Sequence, residues 1–161
     1  MQEKLSALLV HWQPEPLRGL RLVLERQGLE TARAQNCEEA QRILSHANPP
    51  PLVFTDTTLP DGLWADVLAL AAQAAEPVNV IVVARLADTR LYVEAIEAGA
   101  YDFVAPPFAA ADLAYVVRCA ADNVLGRRVG QGRAHQSTAG KLFPAVPKPA
   151  NPSGRGAGLP P

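Results

Sequence analysis

One side chain in this sequence stands out as placed for chemistry, the carboxylate of Asp56, which directly follows the apolar run 52–55. Three other such runs end just before His11, Ala84 and Ala105. Ligands of open parallel α/β sheets bind beyond the carboxyl ends of the strands, so these four positions are the first to consider. A carboxylate there can be a nucleophile, a cation ligand or simply an acceptor for nearby backbone amides. His11 is either a pH-sensitive group beside Asp56 or a packed or solvent-facing histidine.

The elements that must position these residues alternate along the chain. Short apolar runs and amphipathic stretches follow one another five times up to Gly126, which indicates a parallel sheet with helices on both faces. We predict an α/β, flavodoxin-like (βα)5 fold, a doubly wound five-stranded parallel sheet with strand order 2-1-3-4-5. The predicted strands are 5–10, 29–34, 52–55, 78–83 and 101–104, and the predicted helices are 14–27, 37–47, 63–75, 91–98 and 109–125.

Two segments resemble the receiver domains of two-component response regulators. Residues 53–62, VFTDTTLPDG, look like the phosphoacceptor strand and loop of that family. Residues 97–108, EAGAYDFVAPPF, are similar to its Gly-Ala, aromatic and Lys-Pro-Phe stretch around the fifth strand. The resemblance covers residues 4–125 and implies that Asp56 stands at the phosphoacceptor position and Phe103 at that of the switch aromatic.

The residues that support phosphoryl transfer in the family are replaced here. The family's acidic pair after strand 1, which holds magnesium, is matched by His11 and Trp12, and Mg²⁺ prefers oxygen ligands. The hydroxyl residue that ends strand 4 is matched by Ala84, and the lysine after strand 5 by Pro106. We therefore expect no magnesium site, no other metal and no cofactor. Loss of even one preorganised donor costs roughly 10²- to 10³-fold in rate at such sites.

Three further expectations concern the surroundings of Asp56, where the family's supporting residues are replaced. We expect Trp12 to fill the acid pocket by apolar packing. In the family, the switch aromatic turns inward when the strand-4 hydroxyl moves toward the phosphoryl group. Ala84 has no hydroxyl, so we do not expect Phe103 to switch in this way. Arg85, one position further along, is an alternative cation that approaches Asp56 from another angle. The loop acids, among them Asp61, are interpreted as solvated.

These residues predict a stand-alone pseudo-receiver, a non-enzymatic binding module that signals by protein contacts without depending on Asp56 phosphorylation. The alternative is an atypical phosphoacceptor, phosphorylated on Asp56 by a histidine kinase. A flavodoxin-like cofactor protein is disfavoured, since the loop 11–16 has no Gly/Ser/Thr-rich phosphate cradle. Expected partners are a histidine kinase, a downstream effector or a second copy of the chain. The family's usual contact face of helix 4, strand 5 and helix 5 includes Arg90, Glu94, Glu97, Asp102, Tyr115 and Arg118.

Composition divides the chain after Gly126. Residues 1–126 carry 9 Lys/Arg against 16 Asp/Glu, whereas 127–161 carry 6 Lys/Arg, no acid and 12 Pro or Gly. We predict a receiver-like domain at 1–126 and a disordered basic tail at 127–161, with no nucleic-acid contact because the charges are dispersed.

No apolar run is long enough to span a membrane and the first residues do not resemble a signal peptide, so a cytoplasmic location is expected. Cys37 and Cys119 are interpreted as reduced packing residues.

Overall fold

A computed structural model describes residues 5–136 of the chain, and the side chains of residues 5–131. In chain order, the elements are β1 (Ser6–Val10), α1 (Leu17–Arg26), β2 (Glu30–Ala34), α2 (Cys37–Leu44), β3 (Leu52–Asp56), β4 (Thr58–Leu59), β5 (Gly62–Leu63), α3 (Trp64–Ala72), β6 (Asn79–Val83), α4 (Thr89–Ala98), β7 (Asp102–Val104) and α5 (Ala110–Gln136). Five strands pair in parallel in the order β2-β1-β3-β6-β7. The predicted fold and strand order are confirmed.

The sheet is covered by helices on both faces, and its central strands β1, β3 and β6 are mostly apolar and buried at every position except Ser6. Alternate residues of β1 point to opposite faces, so Ala7 and Leu9 pack with α1 and α5 while Leu8 and Val10 pack with α2 and α3. The leucines of α1 at positions 17, 20 and 24 are fully buried at helical spacing. Each buried leucine of this kind contributes roughly 1.5 to 3 kcal/mol to the hydrophobic driving force.

The short antiparallel hairpin β4-β5 was not predicted, and it joins the end of β3 to α3. Asp61 lies at its turn and accepts hydrogen bonds from the backbone amides of Cys37, at 2.7 Å, and Glu38, at 3.1 Å. The carboxylate therefore caps the amino end of α2 from 24 residues away and is not merely a solvated loop acid, although Asn36 also caps that helix. These amide hydrogen bonds, the one from Cys37 foremost, lower the pKa of Asp61.

The last helix is longer than predicted. It continues past Leu125 to Gln136, so the expected boundary of the tail after Gly126 is wrong for residues 127–136. Arg127 donates to Asn79 Oδ1 at 3.1 Å, and Arg128 donates to the carbonyls of Pro77 and Pro49 at 2.8 and 2.9 Å. These contacts bind the first residues of the predicted tail to the amino-terminal edge of the sheet. The remaining predicted tail, 137–161, lies outside the described residues.

The chain divides into two compact units, 1–128 and 129–161, and of the second unit only the helical residues 129–136 are described. Among the described helices, none is both long and apolar enough to cross a membrane. Both cysteines are free thiols, as expected.

Candidate functional site

Asp56 ends the most deeply buried strand of the sheet. All five residues of β3 are buried, and Asp56 lies opposite Val83 of β6 in the parallel register. Its side chain is only 1% exposed. Burying an isolated carboxylate is costly, so its two oxygens must be compensated by donors or by a cation.

Both oxygens of Asp56 have partners. Oδ1 accepts the backbone amide of Thr57 at 2.7 Å. Oδ2 accepts a guanidinium N–H of Arg85 at 3.0 Å, which is both a hydrogen bond and an ion pair. A charge-assisted bond of this type is about twice as strong as a bond between neutral groups. The carboxylate at the phosphoacceptor position is therefore neutralised by a residue of the protein itself.

Arg85 reaches this position because the sheet ends one residue before it. The amide of Ala84 donates to the carbonyl of Val104 at 2.9 Å and continues the ladder, and Arg85 then leaves the carboxyl edge. Its guanidinium also donates to the carbonyl of Glu15 at 2.7 Å and to the side-chain oxygen of Gln13 at 2.6 Å. One side chain thus connects the loop after β6 to the loop after β1 and to the end of β3.

His11 is buried, with 4% of its surface exposed. Its amide continues the ladder to Ala34, and Nδ1 donates to the carbonyl of Gln13 at 2.7 Å. Burial lowers the pKa of His11, an effect that the bond to Gln13 and the charge of Asp56 oppose and that the charge of Arg33 reinforces. His11 is thus the packed histidine of the two alternatives, held in the tautomer that donates from Nδ1.

Trp12 does not fill the acid pocket, and that expectation is wrong. Its side chain is 47% exposed, and its carbonyl accepts a hydrogen bond from Arg33 at 3.2 Å. Arg85 instead satisfies the charge of Asp56, which an indole cannot do, and Gln13 accepts a hydrogen bond from the same guanidinium nitrogen.

The other predicted positions lie around the same edge. Ala84 is buried, and Pro106 is exposed and precedes Pro107 through a cis peptide bond. Phe103 is half-buried and packs edge-to-face against Tyr92 of α4, with ring centroids 5.8 Å apart. Its amide donates to the side chain of Asp102 at 2.7 Å. The structure therefore brings Asp56 and Arg85 together, whereas the ring of Phe103 pairs with that of Tyr92.

These residues do not fit a magnesium ion. Of the two residues at the positions of the family's acidic pair, His11 offers a nitrogen whose Nδ1 is already bonded and Trp12 offers no ligand. Asp56 gives one oxygen to a guanidinium. Within the described residues there is also no cluster of three His, Cys, Asp or Glu side chains that could hold a metal.

The expected contact face is largely exposed. Arg90 and Glu94 form an i,i+4 ion pair at 3.8 Å, and Glu97, Tyr115 and Arg118 are exposed, whereas Asp102 is half-buried. The sequence interpretation missed the apolar part of this face, which is formed by Tyr92, Val93 and Ile96 of α4. Their spacing alone did not separate them from core positions.

Arg85 is the functional residue that the sequence interpretation undervalued. It was considered only as an alternative cation, and Gln13 was not considered at all. The available signal was Arg85 itself, a single arginine just after β6. The family's other positive groups near the phosphoacceptor position, the magnesium ion and the lysine, are not expected here, and a buried carboxylate needs a positive partner.

Comparison with known proteins agrees with this geometry. The family model for the response regulator receiver domain matches residues 7–118. The response regulator protein PilR of Pseudomonas aeruginosa is 31% identical over 102 residues, 63% of this chain and 23% of PilR. The transcriptional regulatory protein KdpE of Mycobacterium tuberculosis is 35% identical over 102 residues, 63% of this chain and 44% of KdpE. This chain therefore spans less than half the length of these relatives.

Solved structures show the same fold. A putative response regulator from Chloroflexus aurantiacus superimposes with a TM-score of 0.66 at 26% identity, over 73% of this chain and 98% of its own. The match of the family model covers more than half of the chain and includes β1, Asp56 and Phe103. The chain belongs to the response-regulator receiver family of two-component signalling.

Proposed function

We propose that this receiver is a pseudo-receiver, which acts through protein contacts and does not depend on phosphorylation of Asp56. The observation that carries the proposal is the ion pair at 3.0 Å between Asp56 Oδ2 and Arg85. Phosphoryl transfer depends on a positioned nucleophile and on cations that neutralise the transferred group. Here the nearby cation neutralises the nucleophile, and the residues at the magnesium-binding positions are His11 and Trp12. We propose no enzymatic activity and no cofactor for the chain.

One observation favours the alternative of an atypical phosphoacceptor. The same guanidinium has N–H groups beyond those bonded to Asp56, Gln13 and Glu15, and its side chain is 47% exposed. Arginine binds phosphoryl oxygens well in a bidentate manner. In this alternative Arg85 moves from the carboxylate to the phosphoryl group and replaces the missing lysine.

A phosphorylation assay separates the two functions. The full chain is incubated with Mg²⁺ and acetyl phosphate, or with Mg²⁺ and beryllofluoride, and followed by intact mass and tryptophan fluorescence. We expect no mass gain, and no saturable Mg²⁺ response of Trp12 or Trp64. Asp56→Asn is the matched control, and a receiver with a complete acidic pair verifies the reagents. A gain of one phosphoryl group that Asp56→Asn abolishes would overturn the pseudo-receiver.

Partners follow from the family and from the exposed face of α4. Response regulators pair with histidine kinases and effectors, and we propose that the partner here contacts Tyr92, Val93 and Ile96, with a second copy of the chain as one candidate. Val93→Glu places a charge on this face, and Leu22→Glu places one on the equally exposed surface of α1. In sedimentation velocity, dimerisation through α4 predicts that only Val93→Glu yields monomer.

A further inference from the structure

The loop between β6 and α4 is held by polar contacts rather than by packing. Residues 85–90 are all exposed, and Leu86 at the centre of the loop has 77% of its surface exposed. Hydrophobic burial therefore does little to fix this segment. The three side-chain hydrogen bonds of Arg85, to Asp56, Gln13 and Glu15, tie its first residue to the carboxyl edge of the sheet.

The other end of the loop is bonded to the first turn of α4. Asp88 caps that helix, because its Oδ1 accepts the amide of Leu91 at 3.1 Å and its carbonyl accepts the amide of Tyr92 at 2.9 Å. Only two residues separate Arg85 from this cap. The backbone connection from Arg85 to the amino end of α4 is therefore short.

That end of α4 carries an aromatic contact to the fifth strand of the sheet. Tyr92 packs on Phe103, and the two rings line a groove together with Ala87, Asp88 and Thr89. A route therefore leads from Asp56 through its ion pair with Arg85, along the backbone of residues 86 and 87, to the cap at Asp88 and the exposed face of α4. No phosphoryl group and no hydroxyl at position 84 is part of this route.

We propose that the ion pair between Asp56 and Arg85 is a permanent internal lock, which fixes the β6-α4 loop and the contact face of α4 in one conformation. The proposal rests on the proposed function and adds its regulation: the state of the face is set by an arginine of the chain and not by phosphate. Asp56 is retained because it anchors the arginine. Arg85 is a positioning residue, since it acts on the face through the loop.

Hydrogen exchange of the full chain tests the lock. The informative amides are those of Leu91 and Tyr92, which are bonded to Asp88, compared with the core amides of β1 as a measure of global unfolding. We expect Arg85→Gln to accelerate exchange of the first turn of α4 by about tenfold or more, with β1 unchanged, as local opening requires. Asp56→Asn removes the charge of the acceptor and should accelerate the same amides less.

Two controls make the result specific. Arg90→Gln removes an arginine of the same segment whose side chain is 89% exposed and has only a long ion pair with Glu94, at 3.8 Å, and it should leave exchange unchanged. Arg85→Lys keeps the charge but loses the planar fork, so it should restore only part of the protection. If Arg85→Gln does not fold, Gln13→Ala, which removes one exposed acceptor, must still accelerate the same amides.

The lock is refuted if Arg85→Gln and Gln13→Ala leave Leu91 and Tyr92 as protected as in the wild type. It is equally refuted if exchange rises by the same factor in β1, since the effect would then be global. Either result leaves the pseudo-receiver proposal standing when no phosphoryl group is taken up. Phosphorylation of Asp56 combined with local acceleration in Arg85→Gln would overturn the proposed function and the permanence of the lock, whereas the coupling of Arg85 to the first turn of α4 would stand.

Discussion

The energetic coupling between Asp56 and Arg85 can be measured by a double-mutant cycle. Breaking a buried ion pair from one side costs about 3 to 5 kcal/mol, because the remaining charge stays buried and uncompensated. Asp56 meets this condition with 1% exposure, but Arg85 is 47% exposed, so solvent screening reduces the loss. We expect Arg85→Gln to lower the free energy of unfolding by about 2 kcal/mol, a value typical of a charged hydrogen bond.

Asp56→Asn should cost less, about 1 kcal/mol, since it keeps an oxygen acceptor and leaves the half-exposed guanidinium in contact with water. The double variant should lose about 1 to 1.5 kcal/mol less than the sum of the single variants. Urea unfolding of the four proteins gives the coupling energy. Arg42→Gln is the matched control, because its ion pair with Glu38 is solvated, with exposures of 67% and 71%, and its loss should stay under about 0.5 kcal/mol. An additive cycle, or a loss for Arg85→Gln no larger than that for Arg42→Gln, would refute the reasoning.

Three further predictions concern pH, packing and the last helix. Because burial lowers the pKa of His11, the unfolded chain binds a proton more readily, and stability should fall as pH drops below about 6.5. In urea titrations from about pH 7.5 to 5.5, His11→Asn should reduce this fall, whereas the exposed His46→Gln should not. Gly62→Ala should cost about 1 kcal/mol in thermal unfolding, since its methyl group would lie 2.7 Å from Asp66 Oδ2 and displace that oxygen from its hydrogen bond with the amide of Leu63. Arg128→Gln should cost about 2 kcal/mol, because a 13% exposed guanidinium and two backbone carbonyls lose their bonds. A melting temperature equal to that of the wild type would contradict either of the last two.

The sequence was sufficient to predict the fold because local and global signals agree in it. Apolar runs such as 78–83 are too short to form helices, and they are too continuous for strands with one face in solvent. Because these runs alternate with amphipathic segments, they predict a parallel sheet covered by helices on both faces. The predicted end of the fourth helix at residue 98 is correct, and the next residue, Gly99, has the positive φ, 114°, that favours glycine after a helix. The hairpin β4-β5 was missed because strands of two residues carry no periodic pattern.

The end of the last helix was misplaced for a similar reason. The boundary was placed by composition, because residues 127–161 carry no acid and 12 Pro or Gly, and glycine weakens helix interiors by about 1 kcal/mol relative to alanine. The bonds of Arg127 and Arg128 to the edge of the sheet offset that cost, and a tertiary contact of this type is not visible in local sequence.

The candidate site was predicted well in position and incompletely in chemistry. The residues at the strand ends were identified, because the carboxyl edge of a parallel sheet brings them together whatever their identity. Arg85 was named only as an alternative cation for Asp56, and its bonds to Gln13 and Glu15 were not predicted, because a residue on a loop reaches its partners through side-chain torsions that no sequence spacing encodes. Arg85 lies 29 positions from Asp56 and 72 from Gln13, and only the folded chain places it between them.

The position of Asp56 explains why the loss of metal ligands and the presence of Arg85 belong together. A carboxylate that ends a fully buried strand cannot remain charged without a nearby positive group, because desolvation costs several kcal/mol. In a receiver that binds magnesium the ion supplies this charge and also coordinates the oxygens of the incoming phosphoryl group. Under the proposed function, a guanidinium linked to the chain neutralises Asp56 but offers no open coordination position to those oxygens. Restoring acids at positions 11 and 12 would therefore not be enough to rebuild a magnesium site, since Arg85 would compete with the ion for Asp56 at an effectively high local concentration.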